Sequence, residues 1–443
     1  MRRLLIILCF FSVSAGLFAQ ALNLEQARVL GLANSRSLAR YELSIRSSIL
    51  DEKNQLYSML PSVSAGYSAS MNYLKDWELL NPVDTFSAGA TFSITQIIFQ
   101  GGKSFIQKAI SAIATESVRI DALAEYFNVI DSTDNAYYAV LEAAATLEAE
   151  ESSLQAAKLA LSIAQIRQES GMINQGDYLK ALSDMESREN SYNQARRNLA
   201  LSTAKLKTLT GISGTIELEP VDFSAYEDVL AYLAGISDED ADGLYEDFWK
   251  KVTASNPAFA KSSLNSQRAE KNYTLTIRDY APTITATIFG TGLNYSTANG
   301  FGTTSTGGVS IRGTIPVDFW LLNNKLEKSK IALDNAAHDY KNTELSLETD
   351  LQTALLNTFA QAGSVLSARR SLEYTEKHFE FVMERYRLLQ SSVSDLGDAS
   401  TLFINSRNSH IRNSYSFLRS LSKLRSLTAL DDEAKLIEML YNS

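Results

Sequence analysis

The chain has 443 residues and a net charge of -10, from 41 Lys and Arg against 51 Asp and Glu. That balance offers no basic surface, so nucleic acid is excluded as a partner. The single cysteine excludes a disulfide framework or a zinc–thiolate centre. Six prolines, thinly spread, leave long stretches free for uninterrupted elements.

In chain order, the first signal is a leader. Arg2 and Arg3 precede an apolar run from Leu4 to Val13, and small residues lead to Ala19-Gln20-Ala21. This reads as a secretory signal peptide over 1–21, too short for a spanning helix. Cys9 lies inside the apolar run, too early for a lipid anchor. Beyond it no stretch approaches the ~18 apolar residues of a transmembrane helix. An exported chain of this kind is periplasmic, secreted or an outer-membrane barrel.

The rest is duplicated. Under a shift of 221 residues, Ala33 falls on Ala254, Ala39 on Ala260, Leu43 on Leu264, Pro61 on Pro282, and Gly176-Asp177 on Gly397-Asp398. The first repeat, 22–210, reads as a helix, a β-hairpin over 62–97, a long helix over 102–170 and a helix over 175–210. The second, 243–430, repeats that order: a helix, a hairpin over 283–317, a long helix over 323–390 and a helix over 395–430. Between them lies an acidic connector, 211–242, with nine Asp and Glu and no Lys or Arg. It reads as a solvated loop with short structure near Tyr226 to Leu233. Residues 431–443 read as a C-terminal tail.

The hairpins alternate strictly. Val63, Ala65, Tyr67, Ala69, Met71 and Tyr73 face one way; Ser62, Ser64, Gly66, Ser68, Ser70 and Asn72 face the other. The next run sets Phe86, Ala88, Ala90, Phe92 and Ile94 against Ser87, Gly89, Thr91, Ser93 and Thr95. In the second repeat Ile284, Ala286 and Ile288 alternate with threonines until the pattern slips near Gly290, and Val309, Ile311 and Ile315 alternate with Ser310, Arg312 and Thr314. Each run has about the ~9–11 residues of a tilted bilayer-crossing strand. Taken alone, the strands also fit a soluble sandwich with one buried face. If they span, two hairpins cannot close a barrel, and several chains must share one.

The long helices are free of proline, and a helix of nearly seventy residues is ~100 Å long. Leu147, Leu154 and Leu161 recur every seven residues, with Ala157 and Ala164 between; Leu351, Leu355, Thr358, Ala362 and Val365 alternate by four and three. By themselves the helices also fit a coiled-coil dimer. A non-channel envelope spacer or adhesin would share the leader and helices, yet would not need two-faced hairpins at equivalent places. No catalytic constellation is present. His338, His378 and His410 are isolated and read as helix-surface residues, and the glycines from Gly290 to Gly308 read as an extracellular loop.

The order of elements resembles the TolC-like outer-membrane efflux protein family from about Leu24 to Leu430. The likeness rests on Leu60-Pro61 and Ala281-Pro282 before a strand, on Ile98-Phe99-Gln100-Gly101-Gly102-Lys103 before the long helix, and on Ser170-Gly171-Met172 followed by Gly176-Asp177-Tyr178-Leu179. Asn323-Asn324 replaces the glycine pair in the second repeat. The resemblance implies a mostly α-helical fold with transmembrane β: a long coiled-coil helical barrel, plus a β-barrel of four strands per chain, twelve in a homotrimer. It implies an efflux or type I secretion duct in the outer membrane, in contact with lipid. It also implies a periplasmic adaptor (membrane fusion) protein and an inner-membrane transporter as partners, with no cofactor, metal or enzymatic step. Asp395 and Asp398 read locally as first-turn helix acids; the family places an acidic ring of the periplasmic aperture there. Asp177 and Tyr386 match positions of a closing network whose usual Arg is Ser391 here, so that network is either weaker or rebuilt from Arg385 or Arg387. The turns at Gly171, Met172, Ser392 and Val393 are the expected adaptor contacts.

Overall fold

The structure is a computed structural model that describes residues 21–74, 83–296, 300–302, 306–430 and 432–441. The leader lies outside these, as do parts of both hairpin loops. The elements are α1 (Leu24–Asn34), α2 (Arg36–Tyr57), β1 (Ser62–Leu74), β2 (Val83–Phe99), α3 (Lys103–Glu169), α4 (Gln175–Thr210), α5 (Glu227–Ala234), α6 (Asp238–Ser255), α7 (Pro257–Ile277), β3 (Thr283–Ser296), β4 (Gly300–Gly302), β5 (Thr306–Thr314), α8 (Phe319–Arg387), α9 (Val393–Thr428) and α10 (Glu433–Tyr441). Packing divides the chain into two units, one of Ser37–Glu125 with Thr253–Thr349, the other of the remaining described chain.

The first unit carries an antiparallel sheet in the order β1-β2-β3, with β4 and β5 both on the outer edge of β3. Its register keeps the two faces apart. Val63 sits opposite Ile94, Ala65 opposite Phe92 and Met71 opposite Phe86, while Ser64 sits opposite Ser93 and Ser70 opposite Ser87. The serine pairs hydrogen-bond at 2.7 and 2.8 Å. On the same face Thr95 meets Thr287 at 3.3 Å. The slip near Gly290 has a local cause. Phe289 stands on the serine–threonine face opposite Gly308, where any Cβ would press on its ring. A phenylalanine covering a cross-strand glycine protects an otherwise bare backbone.

The strand-to-helix junction needs glycine. Gly101 has φ 67° and a Cβ there would collide with Ala281. With Gly102 at φ 77°, it ends β2 and lets α3 start at Lys103. Asn323-Asn324 does not break the chain in this way, so α8 begins at Phe319, four residues before the expected start. Lys103, at 2.8 Å, and its counterpart Lys325 both grip Asp279. Partial burial opposes the charge of Asp279, but the two ammonium groups hold its pKa below the ordinary aspartate range.

The second unit contains the main core. Tyr137, Tyr138, Leu206, Phe248, Leu351, Phe417, Leu418, Leu421 and Leu424 are essentially inaccessible. The α8 seam is as expected: Leu351, Leu355, Thr358, Ala362 and Val365 are all buried. Each buried aliphatic side chain adds about 1.5–3 kcal/mol. The connector is not a solvated loop. The short structure expected near Tyr226 to Leu233 is α5, which exposes Glu227 and Asp228 while Val229, Leu230 and Leu233 join the core; Glu239, Asp240 and Asp242 are exposed at the start of α6. Leu22 pairs with it through a parallel bridge at Leu218, and the Tyr137 hydroxyl donates to the carbonyls of Glu219 (2.7 Å) and Leu22 (3.1 Å). Burial, then the nearby Glu219, raises the Tyr137 pKa to about 12. The segment read as a tail carries α10, whose Leu436 and Leu440 are fully buried.

A charged cluster lies within this core. Asp134 is fully buried and takes Arg28 at 2.7 Å and Arg425 at 2.6 Å. Ser422 donates to Asp134 at 2.9 Å, and Glu433 accepts from Arg28 at 3.2 Å and from the Tyr226 hydroxyl at 2.8 Å. Burial works against the Arg28 charge, but Asp134, Glu433 and Glu25 outweigh it and raise its pKa. The cluster ties α1, α3, α9 and α10 together.

The repeats drift out of register along their length. Strands begin 221 apart, at Ser62 and Thr283. The final helices are both 36 residues, and Gln175 answers to Val393, 218 apart. Measured from Lys103 and Lys325, α8 is therefore four residues shorter than α3.

Asp134→Asn leaves two buried guanidiniums facing one neutral amide, and unfolding stability should fall by about 3–5 kcal/mol. Denaturant unfolding of the detergent-solubilised protein measures this. A loss below ~1 kcal/mol would mean that solvent reaches the arginines.

Candidate functional site at the helix turns and the sheet face

Each repeat turns once between its long helix and the next, and sequence-predicted residues gather there. In the first turn, Gly171 takes φ 73° and Asn174 caps α4 by accepting from the Asp177 amide at 2.9 Å. In the second, Leu389 takes φ 66° and Ser392 caps α9 through a reciprocal box with Asp395. By cap position, Asp177 answers to Asp395, not to Asp398. The Gly-Asp coincidence at 221 thus falls one helical turn away from the structural equivalence.

Asp395 and Asp398 are both exposed, three residues apart on α9. The backbone amide of Ser392 and the nearby serine hydroxyls lower the Asp395 pKa, so its carboxylate stays charged through ordinary acidity. Asp177 is half-buried. Tyr386 is fully buried in a small core with Ala164, Ala181, Val382, Met383, Val393, Leu396 and Ala399. Val393, expected at the surface, is therefore part of this packing, whereas Gly171, Met172 and Ser392 are exposed. Leu388 and Leu389 add exposed apolar surface beside them.

The cation at this turn is Arg167. It is buried, stacks over the Tyr386 ring at 4.1 Å, and donates to the Tyr386 carbonyl and to that of Ser391 at 3.5 Å. The Tyr386 hydroxyl donates to the Ala160 carbonyl at 3.3 Å. Arg385 instead caps the local turn at Gln390, and Arg387 pairs with Glu384. Arg167 comes from α3, remote in sequence, and no spacing near Tyr386 points to it. Lys180 donates to Ser394 at 2.7 Å and Arg188 to Thr401 at 2.8 Å, fastening α4 to α9.

The sheet is the other functional surface. Val63, Tyr67, Met71, Val309 and Ile311 are 65–74 % exposed, so the apolar face of this chain is uncovered. Phe105, Phe319 and Trp320 are exposed where α3 and α8 leave the strands. Among the described residues no group of His, Cys, Asp and Glu is placed to hold a metal, and no helix is long and apolar enough to cross a membrane. His338 and His378 are exposed, as expected. His410 is not a surface residue. It is half-buried, its Nδ1 lacks a partner among the described residues, and burial, then Arg369, lowers its pKa.

Uncovered two-faced strands that lead into helices of 67 and 69 residues fit the class of outer-membrane β-barrel proteins with a helical extension. The model of the outer membrane efflux protein family matches residues 27–212 and 249–430, one segment per repeat, and the chain belongs to that family. Solved structures agree on the fold. The CmeC outer membrane channel of Campylobacter jejuni superposes with a TM-score of 0.75 at 18 % identity, over 95 % of this chain and 89 % of that one. VceC of Vibrio cholerae gives 0.73 at 14 % identity, over 91 % and 96 %. The MtrE outer membrane channel of Neisseria gonorrhoeae, in its open state, gives 0.68 at 16 % identity, over 91 % and 88 %. Comparison with curated protein sequences finds no match. The chain is an outer-membrane efflux protein, with an internally duplicated helix-and-strand plan.

Leu389 holds a left-handed conformation that disfavours leucine by about 1–2 kcal/mol. Leu389→Gly should raise unfolding stability by about 1 kcal/mol, read as a higher midpoint in denaturant. A drop instead would show that the exposed side chain packs against something in the assembled protein.

Proposed function

We propose that three copies of this chain close one twelve-strand barrel in the outer membrane, and that their helices continue it as a passive exit duct. One observation carries this reading. Among the described residues β1 pairs only with β2, and β5 only with β3, so each chain presents two unpaired strand edges. Unpaired backbone groups cost several kcal/mol each in lipid, and joining the β5 edge to a neighbour's β1 removes both. The number three follows from the family. The apolar face then meets lipid, with Phe105, Phe319 and Trp320 suited to the interfacial aromatic girdle.

The turns form the mouth of the duct in this reading. Asp395 and Asp398 recur three times around the axis, where clustered carboxylates attract cations and tune passage. Asp177 and Tyr386 belong to the same mouth, and Arg167 holds the α8 end against α3. Gly171, Met172 and Ser392, with Leu388 and Leu389, are the surface for a periplasmic adaptor. Val393 supports that surface from within. An inner-membrane transporter supplies energy and selects cargo.

Two measurements test this. Outer-membrane fractions should yield a heat-modifiable trimer that opens discrete conductances in planar bilayers; a soluble periplasmic monomer would sink the proposal. Asp395→Asn with Asp398→Asn preserves capping geometry and should raise the half-blocking concentration of divalent cations by about tenfold. Unchanged block would remove the acidic mouth.

A further inference from the structure

The strands hold very little charge. By sequence the described strands contain only two residues of the Asp, Glu, Lys, Arg and His types, Asp84 and Arg312. Asp84 lies at the loop end of β2, opposite Tyr73 and in step with the apolar positions. Arg312 is different. It sits in β5 opposite Thr285, in step with Thr306, Gly308, Ser310 and Thr314. It is exposed, and no carboxylate of the described strands shares its face. The same face carries Ser64, Ser93, Thr95 and Thr287. All of these are small and neutral. Among the described strand residues Arg312 is the one Asp, Glu, Lys, Arg or His on that face.

The facing of Arg312 follows from energetics. On a lipid face a guanidinium costs up to about 2–4 kcal/mol, depending on depth; on a wet lumen face it keeps its water. It occupies the lumen side, near the end of β5 that leads into α8. Two alternation steps along that face stands Phe289, roughly 13–14 Å away, covering Gly308. The wall thus presents one guanidinium and one aromatic ring per chain, with Ile97 across Thr285 from Arg312, on a surface otherwise built mainly of serine, threonine and glycine.

We propose that Arg312 is a specificity-determining residue of the pore: copies from each chain form a cationic ring that favours anionic solutes in the strand section. This rests on the shared-barrel reading above. A ring of fixed charge in a confined, low-dielectric wall raises the local concentration of counter-ions and lowers that of co-ions. It opposes the acidic mouth at the turns, so the duct carries two filters of opposite sign. Screening sets the conditions for seeing it. The Debye length is ~10 Å at 0.1 M salt but ~3 Å at 1 M.

The experiment is the ion selectivity of the full-length protein in planar bilayers under a KCl gradient near ~0.1 M. Arg312→Ser should raise the K+ to Cl− permeability ratio about twofold or more, Arg312→Glu should raise it further, and Arg312→Lys should leave it near that of the unsubstituted protein. All differences should shrink at ~1 M salt. The only cysteine of the chain is Cys9, in the leader, so Arg312→Cys adds a single thiol beyond it. A cationic thiol reagent applied to open Arg312→Cys channels should restore the unsubstituted ratio, and an anionic one should move it the other way. This comparison uses channels that have already assembled, so a folding defect cannot mimic it. Unchanged ratios in Ser, Glu and reagent-treated Cys channels would overturn the role of Arg312 while leaving the pore reading standing. If the unsubstituted protein forms no channel at all, the pore reading itself fails.

Discussion

Unpaired backbone at the sheet edges constrains everything else. A four-position sheet with two open sides is tolerable in water for a moment and in lipid not at all. The chain answers with strands whose apolar residues face outward and whose hydroxyls pair with one another across the sheet. Neither face is covered by the chain's own helices, because the covering is to come from lipid on one side and water on the other. In the shared-barrel proposal one chain's sheet is only part of the fold, and its stability in the membrane belongs to the assembly.

The helical part solves a different problem. Long helices with thin seams of Ala, Ser and Thr bury little area per residue, so ordinary hydrophobic packing fixes their register weakly. Directional contacts make up the difference. Asp134 collects arginines from α1 and α9 and orients α3 against both. Arg167 does the same at the C-terminal end of α3, reaching the carbonyls that end α8. Buried charges of this kind add modest net stability, but they penalise every other register heavily, since a shifted helix strands a charge without a partner.

Much of the plan was legible in the sequence because it is periodic. Alternation at Ser62 to Tyr73 and the four–three spacing at Leu351 to Val365 are local rules, readable without tertiary information. Arg167 and Asp134 were not legible, since their partners lie more than a hundred residues away and share no spacing with them. The connector misled for another reason. Its nine acids dominate the composition, while Val229, Leu230 and Leu233 mark only one short turn of core-facing helix. The aperture alignment slipped by one turn because a repeated Gly-Asp pair is more visible than a cap, although Asn174 and Ser392 set the helix starts.

The four residues missing from α8 relative to α3 have a consequence for symmetry. Four residues make about one helical turn, so the deletion removes length while rotating the seam by only ~40°. The duplicated halves still pack alike, yet they are no longer interchangeable. One hairpin ends in a relaxed glycine with a single acid, the other in a strained leucine with two. The two turns of one chain are therefore of different kinds, one glycine-tipped with a single acid and the other leucine-tipped with two. In the three-chain duct proposed above, such unlike staves alternate around the ring, and every second one is free to loosen while the rest stand fast, which six identical ones have no means of doing.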